Sequence, residues 1–304
     1  MRIYSHPDCL HHDPGPGHPE AIARLQAVIG ALTAAFPELD WCTAPLATRE
    51  HLARVHTPEL IAAILDTPAL TAVRLDEDTV LSARSAQAAL RASGAAVAAV
   101  DAVLGGEIRS AFCAVRPPGH HATAGTAMGF CLFNHIAVAA AHGLAMHGLA
   151  RIAIVDFDVH HGNGTQAIFE NDSRVLYASS HQSPLYPGTG DASERGAGNI
   201  FNAPLPPGSH GAEFRAAWAQ TLLPAVEKFA PELLLVSAGF DAHQLDPLAD
   251  LRLQAEDFAW LSRELAGLAD RHAGGRLVSL LEGGYSLTAL RECSVAHVRG
   301  LGLR

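Results

Sequence analysis

Four ionisable side chains fall within six consecutive positions of the stretch Arg151–Gln166, RIAIVDFDVHHGNGTQ: Asp156, Asp158, His160 and His161. They arrive where an apolar, partly β-branched run, Ile152–Val155, ends, and Gly162, Asn163 and Gly164 then turn the chain away. Residues two apart in a strand share a face, so Asp156, Asp158 and His160 lie on one side as long as the chain stays extended. Carboxylates and an imidazole at a strand's C-terminal end suit a divalent cation. As a plain polar strand end, four ionisable groups beside an apolar core would be costly. A second apolar run, Leu233–Val236, ends in SAGFDAH and supplies Asp241. Asp158, His160 and Asp241 together can hold zinc, one ion per chain, with a position left open for water and substrate. His243, in the same loop, is a rival ligand, but Asp241 sits nearer the strand end.

Proton chemistry has its own candidates. His120 and His121 are adjacent and follow Arg116-Pro117-Pro118-Gly119 at the end of the strand-like run Ala111–Val115. A pair of imidazoles can divide the work of general base and general acid. Each needs an orienting acceptor on its other nitrogen. Asp156 can serve one and Asn163 the other, and a carboxylate raises its partner's pKa more than an amide does. Tyr285 follows Gly283-Gly284 after the run Leu277–Leu281, where a phenol can donate to a developing oxyanion. Its bland alternative is a tyrosine after an ordinary glycine turn.

These residues all sit just past apolar runs that read as strands, Ala111–Val115, Ile152–Val155, Leu233–Val236 and Leu277–Leu281, and Arg2–Ser5 and Val175–Ala178 read as further strands. Helical spacing fills the intervals. Pro19 suits the first position of a helix carrying Ile22, Leu25, Val28, Ile29 and Leu32. Thr57-Pro58-Glu59 opens another, and an Ala-rich helix runs from about Ser82–Ser85 to Leu104. Further helices are expected over about 134–147, 212–229 (with Pro224 a potential kink) and 256–272. Strands alternating with helices predict an α/β fold, a mostly parallel sheet covered on both faces, with its site at the strand C-termini. With no linker or repeat, residues 1–304 read as a single domain.

Composition narrows the partners. A net charge of −10 without a Lys/Arg cluster speaks against nucleic-acid binding and favours a basic substrate over an acidic one. Among 18 histidines, His51, His142 and His147 are expected at the surface. Five widely spaced cysteines fit a reducing cytosol, hence a cytoplasmic location. The N-terminus has no apolar core of a signal peptide, and no uncharged apolar run reaches the roughly 18 residues of a membrane span. An oligomer is compatible with the sequence.

The motifs RPPGHHA, GFCLFN, DFDVHHGNGTQ, SAGFDAHQLDP and LEGGY, in this order, resemble the zinc-dependent histone deacetylase superfamily, which includes bacterial acetylpolyamine amidohydrolases. Asn163 and the segment GPGHPE resemble its class-two branch. The resemblance covers the chain from the first strand to Tyr285. It implies an arginase-deacetylase fold, zinc on Asp158, His160 and Asp241, paired His120 and His121, and Tyr285 as oxyanion donor. It also implies a potassium ion near Asp156 and Ser179. Phe130, following Gly129, and Tyr186 match an aromatic pair that flanks the linear acyl-amine chain, though Phe is usual at the second position. Asp78 matches a rim residue that fixes the substrate backbone. Leu248 stands where polyamine-specific relatives carry an acidic gatekeeper. HPEAIARL departs from the usual HPERPxRL, and Gln254 stands where many members have Thr.

The implied activity is deacetylation of an N-acylated primary amine such as acetyl-lysine. An acetylpolyamine or small acetylamide is the alternative substrate. An arginase-like two-metal hydrolase would need DxHxD and DxD segments, whereas DFDVH and FDAH provide for one metal. A non-catalytic acyl-amine binder would be expected to lack the phenol or a catalytic histidine, and all are present.

Overall fold

The computed structural model describes residues 1–68 and 72–302. Its main sheet has eight strands, all parallel: β1 (Arg2–Ser5), β2 (Asp40–Thr43), β5 (Ser110–Cys113), β6 (Ile152–Asp156), β7 (Val175–Gln182), β8 (Ile200–Leu205), β9 (Leu233–Ala238) and β10 (Leu277–Leu281). Their spatial order is β2-β1-β5-β10-β9-β6-β7-β8. A two-stranded antiparallel hairpin, β3 (Val73–Arg74) with β4 (Val80–Leu81), stands apart. The four central strands β5, β10, β9 and β6 are buried throughout, as helices on both faces require. This bears out the α/β parallel-sheet expectation. It also puts the C-termini of β5, β10, β9 and β6 side by side, so residues far apart in sequence meet there.

Strands β2 and β8 escape the apolar-run criterion. Both are edge strands, where the full apolar run of a central strand is not required. β2 is half exposed, and β8 carries Pro204, which an edge tolerates. The C-terminal helix Leu287–Gly300 is likewise unanticipated; its buried stripe packs against the helices Ala255–His272 and Ile22–Ala35. The helix carrying Pro224 is interrupted by a π turn, Trp218–Leu222, and resumes over Leu223–Phe229 with the proline in its first turn. Helix Ser85–Leu104 is apolar and long enough to cross a membrane by composition, but most of it is buried in the core. His142 is not at the surface: it is buried, with Asp101 accepting from it at 2.7 Å, while His147 is exposed beside it.

The first helix starts at Ile22, not at Pro19. The reason is Glu20. Its carbonyl accepts from Arg116 Nη2 at 2.9 Å, and its carboxylate takes Arg116 at 2.5 Å and Arg24 at 2.8 Å, which holds the backbone out of helical register. His12 stands 3.4 Å from the same carboxylate. Burial alone would raise the pKa of Glu20. The charge of Arg116, the hydrogen bond from His12 and the charge of Arg24 outweigh it and hold the carboxyl well below its ordinary range. Both guanidinium groups are buried as completely as the carboxylate.

Removing one partner of such a network strands the others without compensation. Glu20→Ala is therefore expected to cost about 3–5 kcal/mol of stability in urea unfolding. A loss of no more than about 1 kcal/mol, the worth of an exposed pair, would show that the network is solvated.

Candidate active site

Strand β6 ends at Asp156, and the chain turns before Asp158. The three residues expected to share an extended face therefore part company. Asp156 points to His120, whereas Asp158 and His160 meet Asp241 from the loop after β9. His160 Nδ1 lies 3.2 Å from Asp158 Oδ1 and 3.2 Å from Asp241 Oδ2. Backbone N–H groups fix both carboxylates: His160 N donates to Asp158 Oδ1 at 2.9 Å, Gly283 N to Asp158 Oδ2 at 2.8 Å, and Val159 N to Asp241 Oδ1 at 2.9 Å. Gly283 is obligatory, because a Cβ there would stand 2.1 Å from Asp241 Oδ2.

The donor set fits a divalent cation. Tetrahedral coordination with bonds of roughly 2.0–2.1 Å separates neighbouring donor atoms by about 3.3 Å, close to the spacing found. The electrostatics agree. Burial, then the facing Asp158 charge, pushes the Asp241 carboxyl up. Burial disfavours charge on His160 too, but its hydrogen bonds to Asp158 and Asp241 prevail and push it up to about 10. The cluster demands positive charge, which a cation can supply in exchange for a proton. A second cluster, Asp101 with His142 and His147, lacks this spacing: both Nε2 atoms lie 2.7 Å from one oxygen, a hydrogen-bond length. His243 stands outside this cluster; its Nδ1 accepts from Leu245 N at 3.2 Å.

The two histidine rings lie with centroids 4.0 Å apart and their planes tilted by 45°. His120 Nδ1 donates to Asp156 Oδ2 at 2.9 Å, and His121 Nδ1 meets Asn163 Oδ1 at 2.8 Å. Burial opposes charge on His120, but Asp156 and then Asp158 push its pKa up to about 10. Burial, then the charges of His120 and His160, hold His121 well below the ordinary imidazole value. Asp156 also accepts from the Tyr177 hydroxyl at 3.0 Å. Ser179 is its register partner across β6 and β7. Beneath the pair, Glu282 Oε2 accepts from Gly119 N at 2.7 Å and His120 N at 3.2 Å, and Oε1 from Ser237 Oγ at 3.1 Å. Burial pushes Glu282 up to about 7.

Tyr285 closes the site from the β10 side. Its ring lies 4.9 Å from the Arg24 guanidinium carbon, and burial keeps the phenol protonated far above neutral pH. Arg24 donates to the carbonyls of Gly284 at 2.5 Å and Glu282 at 2.6 Å, gripping the loop on either side of Gly283. Phe130 meets Tyr285 edge-on, ring centroids 5.8 Å apart, and Tyr186 meets His121 edge-on at 5.2 Å. Phe130 has a φ of 66°, a left-handed conformation held by its N–H donating to Thr79 Oγ1 at 3.0 Å. Gly129 precedes it because a Cβ there would stand 2.5 Å from the His121 ring. Asp78 belongs to the β3–β4 hairpin and accepts from the Thr79 hydroxyl at 3.0 Å, so it supports Phe130 indirectly. Leu248 is half-buried in the loop that also contains Asp246.

Tyr177, Glu282, Arg24 and Arg116 are the functional neighbours that sequence reading missed. Tyr177 lies inside a strand, and Arg24 inside an ordinary helical stripe. Glu282, a carboxyl at the end of an apolar run, and Arg116, directly after the run Ala111–Val115, carried a signal of the kind that exposed Asp156.

An all-parallel sheet with an Asp–His–Asp cluster and paired histidines at its strand C-termini is the arrangement of an arginase-deacetylase α/β protein. The family model described as histone deacetylase domain matches residues 18–301, and the chain belongs to the histone deacetylase family. It is 41% identical to the histone deacetylase-like amidohydrolase of Pseudomonas aeruginosa, over 93% of this chain and 76% of that protein. It is 42% identical to the human polyamine deacetylase HDAC10, over 84% of this chain and 40% of that one. A crystal structure of the HDA15 HD domain superposes with a TM-score of 0.94 at 35% identity, covering 99% of this chain and 87% of that chain.

The contrast between the two His–Asp clusters sets an expectation for metal content. The purified protein should carry one divalent metal per chain by elemental analysis, Asp241→Ala should carry none, and Asp101→Ala should keep it. Equal metal content in Asp241→Ala and wild type would place the ion elsewhere.

Proposed function

We propose that the protein is a zinc-dependent deacetylase of N-acetylated or short N-acylated primary amines on linear chains, with acetyl-lysine as the reference substrate. The observation that carries this reading is the pair of adjacent histidines held by unlike acceptors, Asp156 and Asn163, beside the Asp158–His160–Asp241 cluster. The names of the relatives, amidohydrolase and deacetylase, support it. Zinc is the cation that two carboxylates and one imidazole suit; when bound it supplies Lewis acidity toward an acyl carbonyl and a water. A potassium ion beside Asp156 and Ser179 belongs to the same reading.

The chain's own groups then have separate tasks. His121, neutral and with Nδ1–H directed to Asn163, leaves Nε2 free to take a proton from the attacking water and return it to the departing amine. His120 stays charged through Asp156 and supplies a fixed positive field. Tyr285 donates its hydroxyl proton to the acyl oxygen as that oxygen becomes negative. Phe130 and Tyr186 line the approach, and Asp78, Gly129 and Leu248 belong to the rim. Leu248, an apolar side chain, gives no carboxylate for a polyamine and so no support for polyamine selectivity through that position. The five unpaired cysteines support a reducing, cytoplasmic setting for this enzyme.

Turnover of acetyl-lysine, acetylpolyamine and small acetylamide substrates tests the reading, and no hydrolysis of any of the three would overturn it. Tyr285→Phe is expected to keep metal and fold while kcat falls about 10²–10³-fold, the usual cost of one oxyanion donor. Nearly full kcat would reduce Tyr285 to a structural residue. Asn163→Asp puts a carboxylate on His121 and raises its pKa. A base must be neutral to act, so the acid-side fall of kcat/KM should move to higher pH than in wild type. An unmoved acid limb would take the base role away from His121.

A further inference from the structure

The loop after Asp241 carries one more buried carboxylate, Asp246, 8% exposed. Its two oxygens reach different parts of the site. Oδ2 accepts from Tyr285 N at 2.7 Å and from Ser286 N at 3.3 Å, while Oδ1 accepts from Leu248 N at 3.0 Å. Its own N–H donates to the His243 carbonyl at 2.8 Å, which fixes the carboxylate to the loop that also carries Asp241.

Tyr285 is thereby gripped from two directions. Arg24 pulls on the carbonyls of Glu282 and Gly284, and Asp246 on the N–H groups of Tyr285 and Ser286. The two grips meet on the Gly284–Tyr285 peptide, and Gly284 has a φ of 116°, a conformation few other residues would hold. Without Asp246 the segment before the helix Leu287–Gly300 would be held on one side only.

We infer that Asp246 is a positioning residue for Tyr285: it sets where the phenol stands relative to the acyl carbonyl and ties that place to the Leu248 stretch of the rim. It touches no reacting atom in this scheme. The inference rests on the reading of Tyr285 as oxyanion donor. A displacement of about an ångström in such a group can cost on the order of a hundred-fold in rate. The plain alternative is a carboxylate that only stabilises the start of a helix.

A double-mutant cycle on the metal-loaded enzyme separates the two. Asp246→Ala is expected to lower kcat about 10–100-fold with KM little changed. Asp246→Asn, whose amide oxygen can still accept from Tyr285 and Ser286, should recover most of that loss. In the Tyr285→Phe background, Asp246→Ala should cause no further fall, because the group it places is already gone. The same fold-loss in both backgrounds, or wild-type kcat in Asp246→Ala, would overturn the inference. If Asp246→Ala does not fold, the Asn variant takes its place in the cycle: its residual loss should vanish with Tyr285→Phe, and no loss, or a loss that persists there, would overturn the inference. Tyr285→Phe with undiminished kcat would instead remove the donor reading itself and the inference with it.

Discussion

Negative charge kept away from water is the constraint that organises this protein. Asp156, Asp158, Asp241 and Glu282 are all buried where parallel strands end together. Carboxylates so placed are costly unless hydrogen-bonded and paired. The backbone meets much of that cost. N–H groups of Asp158, Val159, His160 and Gly283 hold the aspartates, and those of Gly119 and His120 hold Glu282. Those groups come from loops leaving β5, β6 and β10: the β5 loop holds Glu282 after β10, the β10 loop holds Asp158 after β6, and the β6 loop holds Asp241 after β9 as well as its own aspartates. The strand order β5-β10-β9-β6 is what makes this mutual support available.

The remaining electrostatic demand explains why two adjacent histidines behave differently. Asp156, backed by the Tyr177 hydroxyl, draws charge onto His120. A charged His120 beside a buried His121 then opposes a second charge on the pair, and Asn163, an amide, offers too little to reverse this. The difference lies in what stands behind each ring, and it survives the near equivalence of the rings themselves.

Much of this was legible in the sequence, for reasons specific to each part. Central strands announce themselves because both faces are buried, so their residues form unbroken apolar runs; the ionisable residues at the ends of such runs then mark the site. Asp158, His160, Asp241, His120 and His121 come together as those runs end. The edge strands β2 and β8 remained hidden because an edge imposes weaker demands on composition. Pro19 misled because local helix-start chemistry says nothing of Arg116, which lies 96 residues beyond Glu20 and claims it for itself. Tyr177, Arg24 and Asp246 were unreadable for the same reason: their partners lie in other loops, and spacing along the chain carries no trace of them.

The grip of Arg24 on the Gly284 carbonyl joins positions 260 residues apart. Contacts of such separation are slow to form, since the intervening chain must be ordered or closed as a loop first. During synthesis, a chain extended only as far as Asp241 already holds every residue of the Asp–His–Asp cluster, yet it has no Tyr285 for Arg24 to stack on. The order of residues along the chain thus makes completion of the site the last event of its own assembly, and a partly made chain holds the Asp–His–Asp cluster before it holds the phenol.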